Sequence, residues 1–141
     1  MQPKTFAILS VIGSKARNDV IECLNAGYTH PSEIAEKLKV TRQAVDKTIR
    51  GLYDLGILDR SAVFPPEGRP KIIYTINRAG RNLIRALEDA GENFGKDLDE
   101  RLKEELGALD AALAEGRMGE DVYLRKRREA EERRGEKPRE C

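Results

Sequence analysis

The stretch from Pro31 to Gly56, PSEIAEKLKVTRQAVDKTIRGLYDLG, leaves this chain little freedom. It holds two amphipathic segments with only a few residues between them, enough for a sharp turn and nothing more. Pro31 suits the first position of a helix, with Thr29 or His30 as its cap and Glu33 near the amide-rich end. Ile34, Ala35 and Leu38 then face inward, and Val40 closes the turn. Thr41 caps the next helix at once. There Val45, Ile49 and Leu52 recur at i, i+4 and i+7 as one buried stripe, and Gly56 is the expected terminator. Arg42, Gln43, Asp46, Lys47 and Arg50 stand on the other face. Two short helices joined this tightly make a helix-turn-helix.

The flanks extend the pattern. Ser14 can cap a helix whose apolar face is Ala16, Val20, Ile21, Cys23 and Leu24, stopped near residues 25–27. Before it, Phe6, Ala7, Ile8, Leu9, Val11 and Ile12 are too apolar for a free arm and predict a short packed helix. After Gly56, ILDRSAV and KIIYTIN are rich in β-branched residues and are parted by PPEGRP. That is a β-hairpin with a long loop. Asn77 or its neighbours then cap a final helical region beginning RAGRNLIRALEDAGENF. The order predicts a mainly α fold, a winged helix-turn-helix with a three-helix core plus a β-hairpin wing. The loop carries Arg69, with Lys71 just behind it, and its prolines stiffen it so that less entropy is lost on contact. An ordinary surface turn that happens to be charged is the plainer alternative.

From Leu83 onward apolar residues recur at Leu83, Leu87, Ala90, Phe94, Leu98, Leu102, Leu106, Leu109 and Leu113. The spacing averages about 3.75, nearer an 11-residue repeat than a heptad. So narrow a stripe has no core of its own to cover, and pairing with a second chain would bury it. The expectation is a homodimer through Leu83, Leu87, Phe94, Leu98, Leu102, Leu106, Leu109 and Leu113, against the alternative that the helix folds back on its own domain. Gly91, Gly95 and Gly107 weaken this helix and suggest a bend near 91–95. The remainder, after Gly116 and Gly119, mixes both charge signs and predicts a frayed helix followed by disorder. The expected division is therefore a winged-helix domain over 1–80, a long C-terminal dimerisation helix over 81–115 and a charged tail over 116–141.

Charge follows the same division. Residues 1–80 hold 12 Lys and Arg against 8 Asp and Glu, residues 81–115 hold 5 against 10, and residues 116–141 hold 9 against 7. A basic front beside an acidic middle suggests that only the front faces a polyanion. The longest early apolar run, FAILSVIG, is far short of the roughly 20 residues a membrane span needs. Two cysteines without a paired framework, Cys23 and Cys141, fit a reducing cytoplasm. Cys23, on an apolar face, reads as a core residue, and His30, the only histidine, has no ligand cluster around it. No glycine-rich phosphate loop, nucleophile–His pair or convergent carboxylate set is present, so no catalysis and no cofactor are expected.

With PSEIAEKLKVTRQAVDKTIRGLYDLGIL and the hairpin after it, the sequence resembles winged-helix transcription regulators of the ArsR and MarR kind over about residues 5–85. The resemblance implies that the third core helix enters the major groove of double-stranded DNA and that the wing lies over the backbone or minor groove. Thr41, Arg42, Gln43, Asp46, Lys47, Arg50, Arg69 and Lys71 are then the candidate DNA-binding residues. Arg42 and Gln43, in the first turn, can pair with guanine and adenine edges respectively. Lys47 and Arg50, further along, suit phosphate. Asp46 can accept from cytosine N4 or pair with Arg42 or Arg50. Two departures stand out: Asp46 lies where many relatives carry Ser, and Gly51 interrupts the recognition helix at a cost of about 1 kcal/mol relative to Ala. The paired Cys or His/Asp sets of metal-sensing relatives are absent. The function expected is a homodimeric regulator reading half-sites roughly 34 Å apart. An architectural chromatin protein of low sequence preference, or a winged helix used as a protein-interaction module, are the alternatives.

Overall fold

A computed structural model describes residues 1–135. The chain divides into two compact units, Met1–Arg85 and the segment from Ala86 onward. The first contains α1 (Pro3–Ile12), α2 (Lys15–Asn25), α3 (Pro31–Leu38), α4 (Arg42–Leu55), β1 (Leu58–Val63), β2 (Lys71–Ile76) and the start of α5 (Arg78–Ala114). The second contains the rest of α5 and α6 (Glu120–Gly135). The first unit is the expected winged helix-turn-helix: a helical core carrying a two-stranded antiparallel wing. No helix among the described residues is long and apolar enough to cross a membrane.

The helix ends are where the sequence signals place them. Ser14 Oγ accepts from the Arg17 amide at 3.3 Å, and Thr41 Oγ1 from the Ala44 amide at 3.1 Å. Of the two candidate caps for α3, His30 takes the position, its Nδ1 accepting from the Ser32 amide at 3.1 Å. A cap of this kind contributes about 1 kcal/mol. The turn between α3 and α4 closes on Lys39, which is left-handed at φ 56°, and the Val40 amide reaches back to Ala35 O at 3.1 Å. Gly56 ends α4 at φ 97°, a backbone conformation that favours glycine because it has no Cβ.

The core joins Val20, Ile21, Cys23 and Leu24 of α2 to Ile34 and Ala35 of α3, Val45, Ile49 and Leu52 of α4, and Ile57, Leu58 and Ile76 at the root of the wing. Among the described residues no polar or charged side chain is buried. Each fully buried aliphatic side chain contributes about 1.5–3 kcal/mol. Leu83 and Ile84 also pack on this core, so the first unit extends past residue 80 to Arg85. α1 forms, but it is less well packed than its composition predicts. Ile8, Val11 and Ile12 are half-buried while Phe6 stays 66% exposed. A helix that is apolar on every side can lay only one side on its neighbours.

In the wing, Leu58 pairs with Ile76, Arg60 with Tyr74 and Ala62 with Ile72, so these residues share the face that starts in the core. Asn77 fixes the root. Its amide donates to Ile57 O at 3.0 Å, its Nδ2 to Gly56 O at 2.8 Å, and its Oδ1 accepts from the Gly80 amide at 2.8 Å. Gly80 is buried where any Cβ would lie 2.5 Å from Ile57 O and 2.9 Å from Ile76 Cγ2.

α5 runs as one helix of 37 residues through Gly91, Gly95 and Gly107. The tail, expected as a frayed helix followed by disorder, forms α6 over Glu120–Gly135, lying against α5; residues 136–141, with Cys141 and the expected disordered end, fall outside the described part. α6 has no continuous apolar stripe in sequence, and its attachment combines polar contacts with the burial of Tyr123 and Ala130. Tyr123 hydrogen-bonds Asp110 and accepts from Arg127 at 2.8 Å, Arg133 pairs with Glu105 at 3.5 Å, and Arg134 pairs with Asp99 while donating to Gly95 O at 3.3 Å. Tyr123 and Ala130 are the buried residues of α6. The Arg134 hydrogen bond holds the Asp99 carboxyl below its ordinary range, and the same bond raises Arg134.

Candidate nucleic-acid interface

The stripe Val45, Ile49 and Leu52 fixes which way α4 is turned, because those side chains fill the core. Gln43, Lys47 and Arg50, on the opposite side of the helix, are exposed. Neither Lys47 nor Arg50 enters any ion pair among the described residues. Thr41 spends one lone pair on the helix cap, which leaves its hydroxyl proton free to donate.

Arg42 and Asp46 lie on the flank of α4 and are occupied by each other. The Arg42 Nε donates to Asp46 Oδ1 at 3.1 Å, and its Nη1 donates to Ser32 Oγ at the start of α3. The i, i+4 alternative for Asp46 is thus taken up with Arg42 and not with Arg50. Ser32 is a residue that sequence reasoning passes over; its role follows from the Arg42 side chain reaching back past the turn to the start of α3.

Further along the same flank α4 meets the wing. Tyr53 and Tyr74 meet edge to face with ring centres 6.3 Å apart and pack the wing root against α4. Around them Asp46, Ile49, Arg50, Asp54 and Arg60 border an open cavity of about 410 Å³. Arg60 is a second residue missed from sequence. Its alternation with Leu58 is visible in LDRSAV, but that it lies opposite Tyr74 and borders the same cavity as Arg50 depends on the strand register. Arg50 and Arg60 thus border the junction between helix and hairpin together with the carboxylates of Asp46 and Asp54.

At the wing tip Arg69 and Lys71 are exposed and form no ion pair among the described residues. Lys71 opens β2 opposite Val63, and Gly68, at φ 105°, turns the loop back towards it. Phe64, just past β1, is 76% exposed.

The residues expected to pair with a second chain are placed unequally. Leu83 belongs to the core of the first unit. Leu87, Leu98, Leu102, Leu106, Leu109 and Leu113 are half-buried, and Phe94 is 63% exposed. Leu98 and Leu102 border one cleft between α5 and α6, of about 230 Å³, and Leu109 borders another of about 400 Å³. Part of the stripe is therefore sheltered within one chain by α6.

Among the described residues no three His, Cys, Asp or Glu side chains converge to hold a metal ion. Burial pushes the Cys23 thiol up, partly offset by Lys37.

No family model matches the sequence. No curated protein matches it. Among solved structures, the fold is similar to that of the reduced form of the transcriptional regulator YodB from B. subtilis, with a TM-score of 0.54 and 23% identity over 65% of this chain and 89% of that one. The diamide-treated form of YodB gives a TM-score of 0.57, with 23% identity over 65% of this chain and 90% of that one. The likeness is one of fold.

Proposed function

We propose that this chain is a DNA-binding transcription regulator of the ArsR or MarR kind, acting as a homodimer and without catalysis. The observation that carries the reading is the free outer face of α4: Gln43, Lys47 and Arg50 are exposed, with Arg60 beside them at the wing root. The likeness in fold to a protein named as a transcriptional regulator supports it.

In this reading α4 lies in the major groove. Gln43 reads a base edge, adenine by preference, while Lys47, Arg50 and Arg60 neutralise phosphates. Arg42 reads guanine only when its bonds to Asp46 and Ser32 are exchanged for base contacts. The Thr41 hydroxyl donates to a phosphate at the helix start, and Asp46 excludes alternatives by repelling a misplaced backbone. Arg69 and Lys71 hold the wing to the backbone. Dimerisation uses what α6 leaves open on α5, with Phe94 and Leu87 at its centre.

Genome-wide footprinting, followed by titration of a recovered site against random duplex over a range of salt, tests the reading. A specific affinity at least a thousandfold above the random one is expected. A ratio near one would indicate an architectural role instead. Absence of any salt-dependent duplex binding would end the DNA reading.

A further inference from the structure

Phe64 has no structural reason to be aromatic. Among the described residues only Met1 is a more exposed large apolar side chain. Phe64 follows the last residue of β1 and precedes Pro65 and Pro66, so its backbone is confined to extended conformations and the following φ angles are fixed. Gly68 then returns the chain to Lys71, which pairs with Val63. The ring is thus carried on a stiff mount, with two side-chain torsions left to order on contact. Its neighbour Val63 is also exposed, and Arg69 and Lys71 stand at the same tip without ion pairs among the described residues.

A small apolar point on a hairpin tip that also carries cations is a poor protein-docking surface. Stable protein interfaces bury about 800 Å² on each partner, which Phe64 and Val63 alone do not offer. It does match one nucleic-acid contact. Apolar side chains enter the minor groove and part a base step, while flanking cations grip the phosphates on either side. Steps of the pyrimidine–purine type open most easily.

Resting on the DNA-binding reading above, we infer that Phe64 is a wedge that enters the minor groove between two stacked base pairs, so that the wing bends its site and prefers flexible steps there. Sequence preference then arises at a position where no side chain hydrogen-bonds a base. Arg69 and Lys71 anchor the wedge but do not create the bend.

The test uses the full chain and two duplexes of about 30 base pairs, one with a central TpA step within A·T pairs and one with GpC at the same place. Dyes at the ends report bending, and 2-aminopurine beside the step reports unstacking. Wild type is expected to bend the TpA duplex, raise the 2-aminopurine signal and bind TpA roughly tenfold more tightly than GpC. Phe64→Ala removes bend, signal and preference while leaving the salt slope unchanged; Phe64→Leu restores part of all three. Arg69→Ala weakens binding to both duplexes and shallows the slope but keeps the bend of the bound complex. Wild type that binds and leaves the TpA duplex straight overturns the wedge alone. Phe64→Ala that bends DNA as wild type does, or that loses only self-association, overturns it too. Wild type that binds neither duplex overturns the wedge together with the DNA reading.

Discussion

Arg42 and Asp46 face each other across 3.1 Å on the first turns of α4, each about half exposed. An ion pair this open contributes only some tenths of a kcal/mol, so it exchanges readily for a stronger partner. It nevertheless holds a carboxylate beside the surface proposed to meet phosphate. Asp46→Asn is expected to tighten binding to random duplex about three- to tenfold at low salt and to reduce discrimination among sequences. Fluorescence anisotropy against matched and scrambled duplexes reads both effects. An unchanged affinity on both would mean that α4 does not approach the backbone here.

Gly80 and Gly91 both lie in α5, yet they predict opposite outcomes on substitution. A Cβ at Gly80 meets the Ile57 carbonyl at 2.5 Å, whereas nothing lies within 4 Å of one at Gly91. Gly80→Ala should lower stability by about 1–3 kcal/mol through overpacking. Gly91→Ala should raise it by about 0.5–1 kcal/mol, the ordinary gain in an open helix. Urea titrations followed by helical ellipticity measure both changes, and the signs should differ.

Cys23 is buried in the core and its thiol is pushed up chiefly by that burial. Since the thiolate is the reactive form, alkylation of a Cys141→Ser variant at pH 8 is expected to run at least tenfold slower than that of free cysteine, and to reach the free rate in denaturant. Fast native alkylation would show that α2 leaves the core.

The attachment of α6 should respond to acid. Asp99 has its pKa lowered by Arg134, so this contact stabilises the pairing of α6 with α5 at neutral pH. That stabilisation is lost as pH falls through the carboxylate range and the folded-state value below it. The groups are exposed, so salt should weaken the contact as well. Chemical shifts of residues 125–135 are expected to lose helical character below about pH 4, and Asp99→Asn should bring part of that loss to neutral pH. Acid-insensitive shifts would assign the attachment to Tyr123 and Ala130 instead.

The first unit is readable from its residues because its determinants are local. The Val45–Ile49–Leu52 stripe, the Thr41 cap and Gly56 act within one helix, and PPEGRP divides two strands by composition alone. What escapes such reading depends on distant pairing. Arg60 reaches the junction because its strand aligns Leu58 with Ile76. Ser32 holds Arg42 because a long side chain at the start of one helix reaches the start of the other. α6 has no apolar periodicity to announce it, and its partner Asp99 lies 35 residues from Arg134. Polar attachments between segments so far apart leave no trace in hydrophobic pattern.

Asn77 ties the hairpin root at once to the end of α4 and to the first turn of α5. From that anchorage each strand runs six residues, about 20 Å, to a tip with no support of its own. The hairpin is therefore a cantilever, and a rotation of a few degrees at its root sweeps Phe64 and Arg69 through about an ångström or more. Adjustment to an uneven target costs little backbone rearrangement in such a design, because the strands run on beyond the packing of Leu58, Ile76 and Tyr74 that holds the root.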